Sequence, residues 1–225
     1  MKILFQGDSV TDCGRDRKTD APNQGLGCGY VNLIASRLLC DNPDWEIVNK
    51  GVGGNRIGDM YSRWIEDTLN VDIDILSVMN GINDVGFSLR LNMGASCEEY
   101  EFMYDHMLTQ VKEIKPDCKI VILEPFIVKL DLKSLNSSND SGDIFTEWEI
   151  WERNMRERCR VSKKLAEKYE AVFIPLFDDF NKLAEKDGAK YWSLDGIHPT
   201  LAGHEYIARK WLEYCNDELM KYKLN

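Results

Sequence analysis

Short apolar runs alternate along the chain with longer segments of helical spacing, and this alternation strongly constrains the fold. The runs typical of β-strands are residues 2–6, 45–49, 73–79, 119–123 and 171–175. The third and fourth runs are almost continuously apolar, as expected of strands covered on both faces. The predicted helical segments are residues 29–40, 58–68, 97–115, 145–169 and 202–221. The pattern predicts an α/β fold, in which helices flank a five-stranded parallel sheet.

Length and composition predict a single domain that spans residues 1–225, because the chain shows no internal repeat and no linker. No apolar run approaches the roughly 20 residues that a membrane helix needs. The apolar run Ile3-Leu4-Phe5 is too short for the core of a signal peptide. We therefore expect a cytoplasmic protein.

The cysteines and the charge narrow the function classes. The seven cysteines form no C-x-x-C pair, which favours free thiols in a reducing compartment and indicates no metal site. The net charge of −10 argues against nucleic-acid partners and against anionic membrane surfaces. Residues 15–18 carry three cations, but the run is short, and we interpret it as a solvated loop rather than a phosphate site. The sequence does not specify an oligomeric state.

Polar turns follow the first three predicted strands, at residues 7–9, 51–55 and 81–84. The carboxyl ends of parallel strands meet at one edge of a sheet, where ligand sites form. Each turn alone is an ordinary loop, and none matches the phosphate-binding P-loop. Their shared position is what indicates a functional site.

Three residues have the chemistry of a nucleophilic triad. Ser9 lies on the turn after the first strand, and a serine hydroxyl needs a base to become a nucleophile. His198 follows Asp195 by three residues near the end of the chain, so the carboxylate can hold one ring nitrogen while the other faces Ser9. We predict Ser9 as nucleophile, His198 as base and Asp195 as its orienting acid. This set performs acyl transfer through a serine ester.

An acyl-transfer site also needs hydrogen-bond donors for the oxyanion. The backbone N–H groups of Ser9 and Gly54 and the side-chain amide of Asn83 are the predicted donors.

Taken together, four motifs resemble those of the GDSL, or SGNH, hydrolases. They are Gly7-Asp8-Ser9-Val10, the glycines and asparagines of residues 49–55, Gly81-Ile82-Asn83-Asp84 and Asp195-Gly196-Ile197-His198. They stand in the family's order and span almost the whole chain, with Val10 where leucine or isoleucine is commoner. The resemblance implies a flavodoxin-like three-layer α/β/α sandwich that hydrolyses esters without a cofactor. It assigns the acid and base to Asp195 and His198, and the oxyanion role to Gly54 and Asn83.

Substrate residues are less clearly indicated. Asp8 neighbours the nucleophile, and Phe126 follows the fourth strand on the same edge. Trp148 and Trp151 lie on one face of a predicted helix, where they could line an acyl or sugar pocket, although core packing is the commoner role. We predict Asp8, Phe126 and Trp148 as pocket residues. The polar segment of residues 130–143 is either a lid over the site or a surface excursion.

The expected function is a serine esterase that removes a short acyl group from a small-molecule ester, with a carbohydrate O-acetyl ester as the leading substrate. The acidic charge disfavours coenzyme A esters, and no basic amphipathic helix indicates a lipid surface. Two alternatives stay open. One is an acylhydrolase of the lysophospholipase or thioesterase type, and the other is a non-catalytic ligand-binding protein on the same fold.

Overall fold

A computed structural model describes residues 1–19, 21–130 and 147–223. Five parallel strands form one sheet in the order β2-β1-β3-β4-β5. The strands are β1 Lys2–Gly7, β2 Glu46–Asn49, β3 Ile75–Met79, β4 Lys119–Leu123 and β5 Val172–Ile174. All five lie within a residue or two of the predicted runs, and the predicted α/β fold with a parallel sheet is confirmed.

Helices cover both faces of the sheet. In chain order they are α1 Ser9–Asp12, α2 Tyr30–Asp41, α3 Ile57–Ser62, α4 Ile82–Leu91, α5 Cys97–Ile114, α6 Trp148–Lys168, α7 Phe177–Asp187, α8 Ala189–Trp192, α9 Leu201–Tyr214 and α10 Asn216–Lys223. A π-helical turn, Ile65–Leu69, follows α3. Helix α5 begins with a capping box, in which Ser96 and Glu99 each accept a hydrogen bond from the other's backbone N–H.

Neighbouring residues of each strand enter two separate hydrophobic cores, because side chains alternate between the faces of a sheet. Phe5 packs in one core with Trp211 of α9, at 5.5 Å between ring centroids. Leu4 packs in the other core, with Val111 of α5. These two cores produce the three layers and leave the carboxyl ends of the strands at one edge.

Several helices differ from the sequence prediction. The segment predicted as one helix over residues 58–68 is α3 followed by the π-helical turn, and the last predicted helix ends at Tyr214 and resumes at Asn216. Helix α7 was not predicted, although Phe177, Phe180 and Ala184 repeat at helical spacing and are buried.

Residues 81–84 are not a plain turn, because Gly81 caps α4 and Asn83 lies in its first turn. Tertiary packing accounts for this helix. A side chain at Gly86 would lie 3.3 Å from the buried indole of Trp151, so the glycine lets α4 and α6 approach closely. In the described ranges, no helix combines the length and the apolar character needed to cross a membrane.

Candidate active site

Ser9 is held at the edge of the sheet by the short helix α1. Strand β1 ends at Gly7, and Asp8 caps the helix by accepting a hydrogen bond from the Val10 N–H at 3.0 Å. The helix therefore begins at Ser9 itself, and the Ser9 side chain remains half-buried at the carboxyl end of β1. Asp8 lies beneath this turn and is 1% exposed.

His198 and Asp195 lie on one tight loop between α8 and α9. One carboxylate oxygen of Asp195 accepts the backbone N–H groups of Ile197 and His198, at 2.9 and 2.7 Å. The other oxygen is 2.7 Å from His198 Nδ1. A bridge between Ser193 and Pro199 closes the base of the loop. The carboxylate thus fixes both the loop and the imidazole ring.

The predicted nucleophile, base and acid lie in one hydrogen-bonded row. Ser9 Oγ is 2.9 Å from His198 Nε2, across 189 residues of sequence. The Asp195 hydrogen bond raises the pKa of His198 above its ordinary value; burial opposes this, and the charges of Asp195 and Asp8 add to it. For Asp195, burial acts to raise the pKa, but the hydrogen bonds from His198 outweigh it and hold the pKa below its usual range. A carboxylate beside an imidazole is the charge state that a base at Ser9 requires.

The loop that carries the predicted oxyanion donor Gly54 lies beside the serine, and the predicted donor Asn83 contacts the same loop. A Cβ placed on Gly53 would lie 3.8 Å from Ser9 Cβ, so the loop of residues 51–55 borders the nucleophile. Gly54 has a φ of +81°, in the left-handed region that favours glycine, with open space around it. Asn83 Nδ2 donates to the Asn55 carbonyl at 3.1 Å, which leaves its second amide hydrogen available.

Sequence reasoning missed the side chains that bind the serine helix to this loop. Asp12 Oδ2 accepts the Gly53 N–H at 2.8 Å and also pairs with the Arg17 guanidinium. Arg15 Nε donates to the Gly51 carbonyl at 2.6 Å. Arg17 and Lys18 are exposed, in keeping with the interpretation of residues 15–18 as a solvated loop, whereas Arg15 is half-buried against the loop of Gly51. Asp12 follows Ser9 by one helical turn, and that spacing was the available signal.

Arg63 makes a second set of contacts beneath the same edge. Its guanidinium donates to Asn55 Oδ1 at 2.7 Å, to the Lys50 carbonyl at 2.9 Å and to the Gly7 carbonyl at 3.3 Å. It also pairs with Asp67 at 2.9 Å. One side chain therefore joins the end of β1 to the loop that carries Gly54.

Two buried carboxyl groups lie close to the row. Burial raises the pKa of Asp8 to about 7, and the neighbouring charge of Asp84 adds to the shift, while the Val10 N–H and the charge of His198 oppose it. Burial also raises the pKa of Asp84 to about 6. Asp84 Oδ2 accepts the Ile57 N–H at 2.9 Å, so this carboxyl joins α4 to the start of α3.

The three predicted pocket residues do not lie together on one open surface. Asp8 is buried under the serine turn. Phe126 is 4% exposed and stacks on Phe180 with ring centroids 4.2 Å apart, which leaves it little area for a substrate. Trp148 is half-buried and lines a cavity of about 720 Å³ with Leu130 and Phe177. Their role in binding substrate stays a prediction.

The cavity beside Trp148 does not include Ser9 or His198 among its lining residues. A second cavity, of about 600 Å³, lies along α6 and is lined by charged side chains that include Glu124 and Arg156.

Trp151, the other tryptophan of the predicted pair, is fully buried in the core. Of the segment predicted as a lid or a surface excursion, residues 131–143 lie outside the described part of the chain. Within that part, no group of three or more His, Cys, Asp or Glu is placed to hold a metal ion.

Comparison with known proteins identifies the family. The model of the GDSL-like lipase/acylhydrolase family matches residues 5–206. An acetylxylan esterase from Geobacillus stearothermophilus is 33% identical, over 98% of this chain and 96% of the relative. The family resemblance of this chain, which was predicted from four motifs, is confirmed.

Two solved structures have the same fold. A protein designated a GDSL-like lipase, from Parabacteroides merdae, superposes with a TM-score of 0.84 at 33% identity, over 96% of this chain and 95% of that chain. An acetylxylan esterase from Geobacillus stearothermophilus gives 0.79 at 30% identity, over 95% and 93%. The chain belongs to the GDSL-like lipase/acylhydrolase family and is a carboxylic ester hydrolase.

Proposed function

We propose that this protein is a serine esterase that removes acetyl or another short acyl group from a carbohydrate, with Ser9, His198 and Asp195 as the catalytic residues. The observation that carries the proposal is the row of hydrogen bonds, 2.9 Å from Ser9 Oγ to His198 Nε2 and 2.7 Å from His198 Nδ1 to Asp195. The row pairs a nucleophile with a base, and the base with a group that fixes its tautomer.

In the first half of the reaction, His198 Nε2 takes the Ser9 proton as Ser9 Oγ attacks the ester carbonyl. Asp195 keeps the Nδ1 proton directed toward itself and stabilises the imidazolium that forms. The carbonyl oxygen becomes an oxyanion, which accepts hydrogen bonds from the Ser9 and Gly54 N–H groups and the free amide hydrogen of Asn83. His198 then protonates the leaving sugar hydroxyl, and an acyl-serine remains.

In the second half, water takes the place of the departed alcohol. His198 removes a proton from the water, and the hydroxide attacks the acyl-serine carbonyl. The same three donors hold the second oxyanion. Its collapse returns the proton to Ser9 Oγ and releases acetate or another short acid.

The substrate class rests on the relatives. The Geobacillus stearothermophilus relative is an acetylxylan esterase and matches this chain over nearly its whole length. The same description applies to the superposed structure. An acetylated xylose oligomer is therefore the first substrate to test, in a chain whose net charge of −10 disfavours polyanionic esters.

The test is hydrolysis of p-nitrophenyl esters from acetate to octanoate, followed by acetate release from acetylated xylooligosaccharides. We expect activity to fall as the acyl chain lengthens, and Ser9→Ala to abolish turnover while its circular dichroism matches wild type. Ser36→Ala, at an exposed serine of α2, is the matched control and should keep full activity.

Two outcomes would contradict the proposal. Activity that rises toward octanoate would instead favour a lipid or thioester substrate. Turnover that persists in Ser9→Ala would remove the serine from the mechanism.

A further inference from the structure

Two cysteines lie against the end of the serine helix and take no part in the proposed mechanism. Cys13 follows α1 directly, and its N–H donates to the Ser9 carbonyl at 2.9 Å. Cys28 lies across from it, and the Cys28 N–H donates to the Cys13 carbonyl at 2.9 Å. The two Sγ atoms are 3.6 Å apart. Cys28 is exposed and Cys13 is half-buried, so reagents in solution reach Cys28 first.

His204 of α9 determines how the thiol of Cys13 is oriented. His204 Nδ1 accepts the Tyr30 N–H at 3.2 Å, so a neutral ring must carry its hydrogen on Nε2. Burial lowers the pKa of His204 to about 4, helped by the charge of His198, so the ring is neutral near pH 7. His204 Nε2 is 3.3 Å from Cys13 Sγ and therefore donates to that sulfur.

Cys13 Sγ accepts a hydrogen bond from His204, so the thiol hydrogen of Cys13 must be donated to a different acceptor. The Cys28 sulfur, 3.6 Å away, is in position to accept it. The fold thus directs one thiol at the other sulfur beside the nucleophile.

We propose that Cys13 and Cys28 are a modification site, at which a peroxide forms a reversible intramolecular disulfide. The two sulfurs need to approach by about 1.5 Å to reach the S–S bond length of about 2.05 Å. The disulfide would link the two ends of the segment between Cys13 and Cys28. That segment includes Arg15, whose side chain donates to the Gly51 carbonyl. The linked segment therefore touches the loop that carries Gly54.

The chemistry proceeds in two balanced steps. The Cys28 thiolate attacks one oxygen of hydrogen peroxide, the O–O bond breaks, and a sulfenic acid and hydroxide form. The Cys13 sulfur then attacks Cys28 Sγ, the S–O bond breaks, and the departing hydroxide leaves as water with the Cys13 proton. Two thiols are oxidised to one disulfide, and the peroxide is reduced to water. A dithiol such as dithiothreitol reverses the reaction.

The order of the two cysteines follows from their surroundings. Burial raises the pKa of Cys13 to about 11, and its contact with Cys28 adds to this, so Cys13 remains a thiol near neutral pH. The thiolate is the form that reacts with peroxides. Cys28 is exposed and Cys13 is half-buried, so Cys28 is the residue that peroxide oxidises first and Cys13 is the residue that resolves it.

The test treats the reduced full-length protein with hydrogen peroxide, alkylates the remaining thiols with iodoacetamide and maps them by mass spectrometry. We expect a peptide pair linked through Cys13 and Cys28, the loss of two of the seven free thiols, and full recovery with dithiothreitol. Cys28→Ser should abolish the linked pair. Cys40→Ser, at an exposed cysteine of α2, is the matched control and should leave it unchanged.

Two results would overturn the inference. One is Cys28 that oxidises to sulfinic acid without a linked peptide. The other is a linked peptide in which Cys28 is joined to any cysteine other than Cys13. The readout is covalent mass rather than activity, so the inference does not depend on the proposed esterase function.

Discussion

The Asp12 carboxylate accepts the Gly53 N–H at 2.8 Å, and this single hydrogen bond joins the helix of the nucleophile to the loop of an oxyanion donor. Asp12 lies in the last turn of α1, three residues after Ser9, and Gly53 immediately precedes Gly54. Both ends of the bond therefore lie next to groups with a proposed chemical role. Together with the contacts of Arg15 and Arg63, it helps to position the Gly54 N–H relative to Ser9.

Replacing Asp12 by alanine should lower kcat about 10- to 100-fold with little change in KM, because it frees the loop without removing any group that touches substrate. Displacements of about 1 Å at a reacting group reach costs of this size. The measurement is steady-state hydrolysis of p-nitrophenyl acetate by the variant and wild type.

Asp12→Asn and Arg17→Ala separate positioning from charge. The asparagine oxygen can still accept the Gly53 N–H, so Asp12→Asn should recover part of the lost kcat. Arg17→Ala should change kcat less than twofold, since the Arg17 side chain is 53% exposed and exposed ion pairs contribute little. Equal losses in Asp12→Asn and Asp12→Ala would contradict a role through the Gly53 hydrogen bond.

The activity of the wild-type enzyme should decrease as pH falls through the pKa of His198, because only the neutral ring can take the Ser9 proton. The hydrogen bond with Asp195 raises that pKa above its ordinary value of 6.5. In Asp195→Asn this support is lost, so the acidic limb of kcat/KM should move to lower pH. The plateau should also fall by roughly four orders of magnitude, since asparagine no longer fixes the productive tautomer of the ring.

The profile is measured from pH 5 to 9 with p-nitrophenyl acetate, corrected for spontaneous hydrolysis. Asp178→Asn removes the same charge from an exposed position of α7 and serves as control. An acidic limb that stays in place in Asp195→Asn would show that Asp195 does not set the pKa of the base.

The parts of the site that could be predicted are those that neighbouring residues in the sequence determine. The strands were found because continuous apolar runs record burial on both faces, and the strand ends then placed Ser9, Gly54 and Asn83 at one edge. The loop of Asp195 and His198 is also local, because only two residues separate the acid from the base. Each of these required no knowledge of distant contacts.

The supporting residues were not predictable in the same way. Asp12 contacts Gly53 across 41 residues of sequence, and Arg63 reaches the Gly7 carbonyl across 56. Nothing in the sequence near Arg63 indicates that its partners are carbonyls of two other loops. The helical setting of Asn83 likewise depends on the packing of Trp151 against Gly86, which the local pattern does not contain.

Asp8→Asn should stabilise the protein above neutral pH. Burial raises the pKa of Asp8 from 3.8 to about 7, so the folded state binds a proton that the unfolded state releases. Wild-type stability therefore falls as pH rises from about 4 to about 7, by up to a few kcal/mol, and is level above that window. Asparagine carries no charge and can keep the hydrogen bond from the Val10 N–H.

Urea denaturation of wild type and Asp8→Asn at pH 5 and pH 8 measures this effect. The variant should gain more stability at pH 8 than at pH 5. A difference that is the same at both values would show that Asp8 is already ionised in the folded protein at pH 5.

Asn83 and its neighbour Asn80 provide a matched pair, because each donates its Nδ2 to the Asn55 carbonyl at 3.1 Å. Asn83 is half-buried and keeps one hydrogen for the oxyanion, whereas Asn80 is 1% exposed.

Asn83→Ala should lower kcat by about 10²–10³ with a small loss of stability, as removal of an oxyanion donor does elsewhere. Asn80→Ala should mainly lower Tm, since it removes a buried hydrogen bond. Kinetics with p-nitrophenyl acetate and thermal melts measure both effects, and a larger loss of kcat in Asn80→Ala than in Asn83→Ala would remove Asn83 from the oxyanion site.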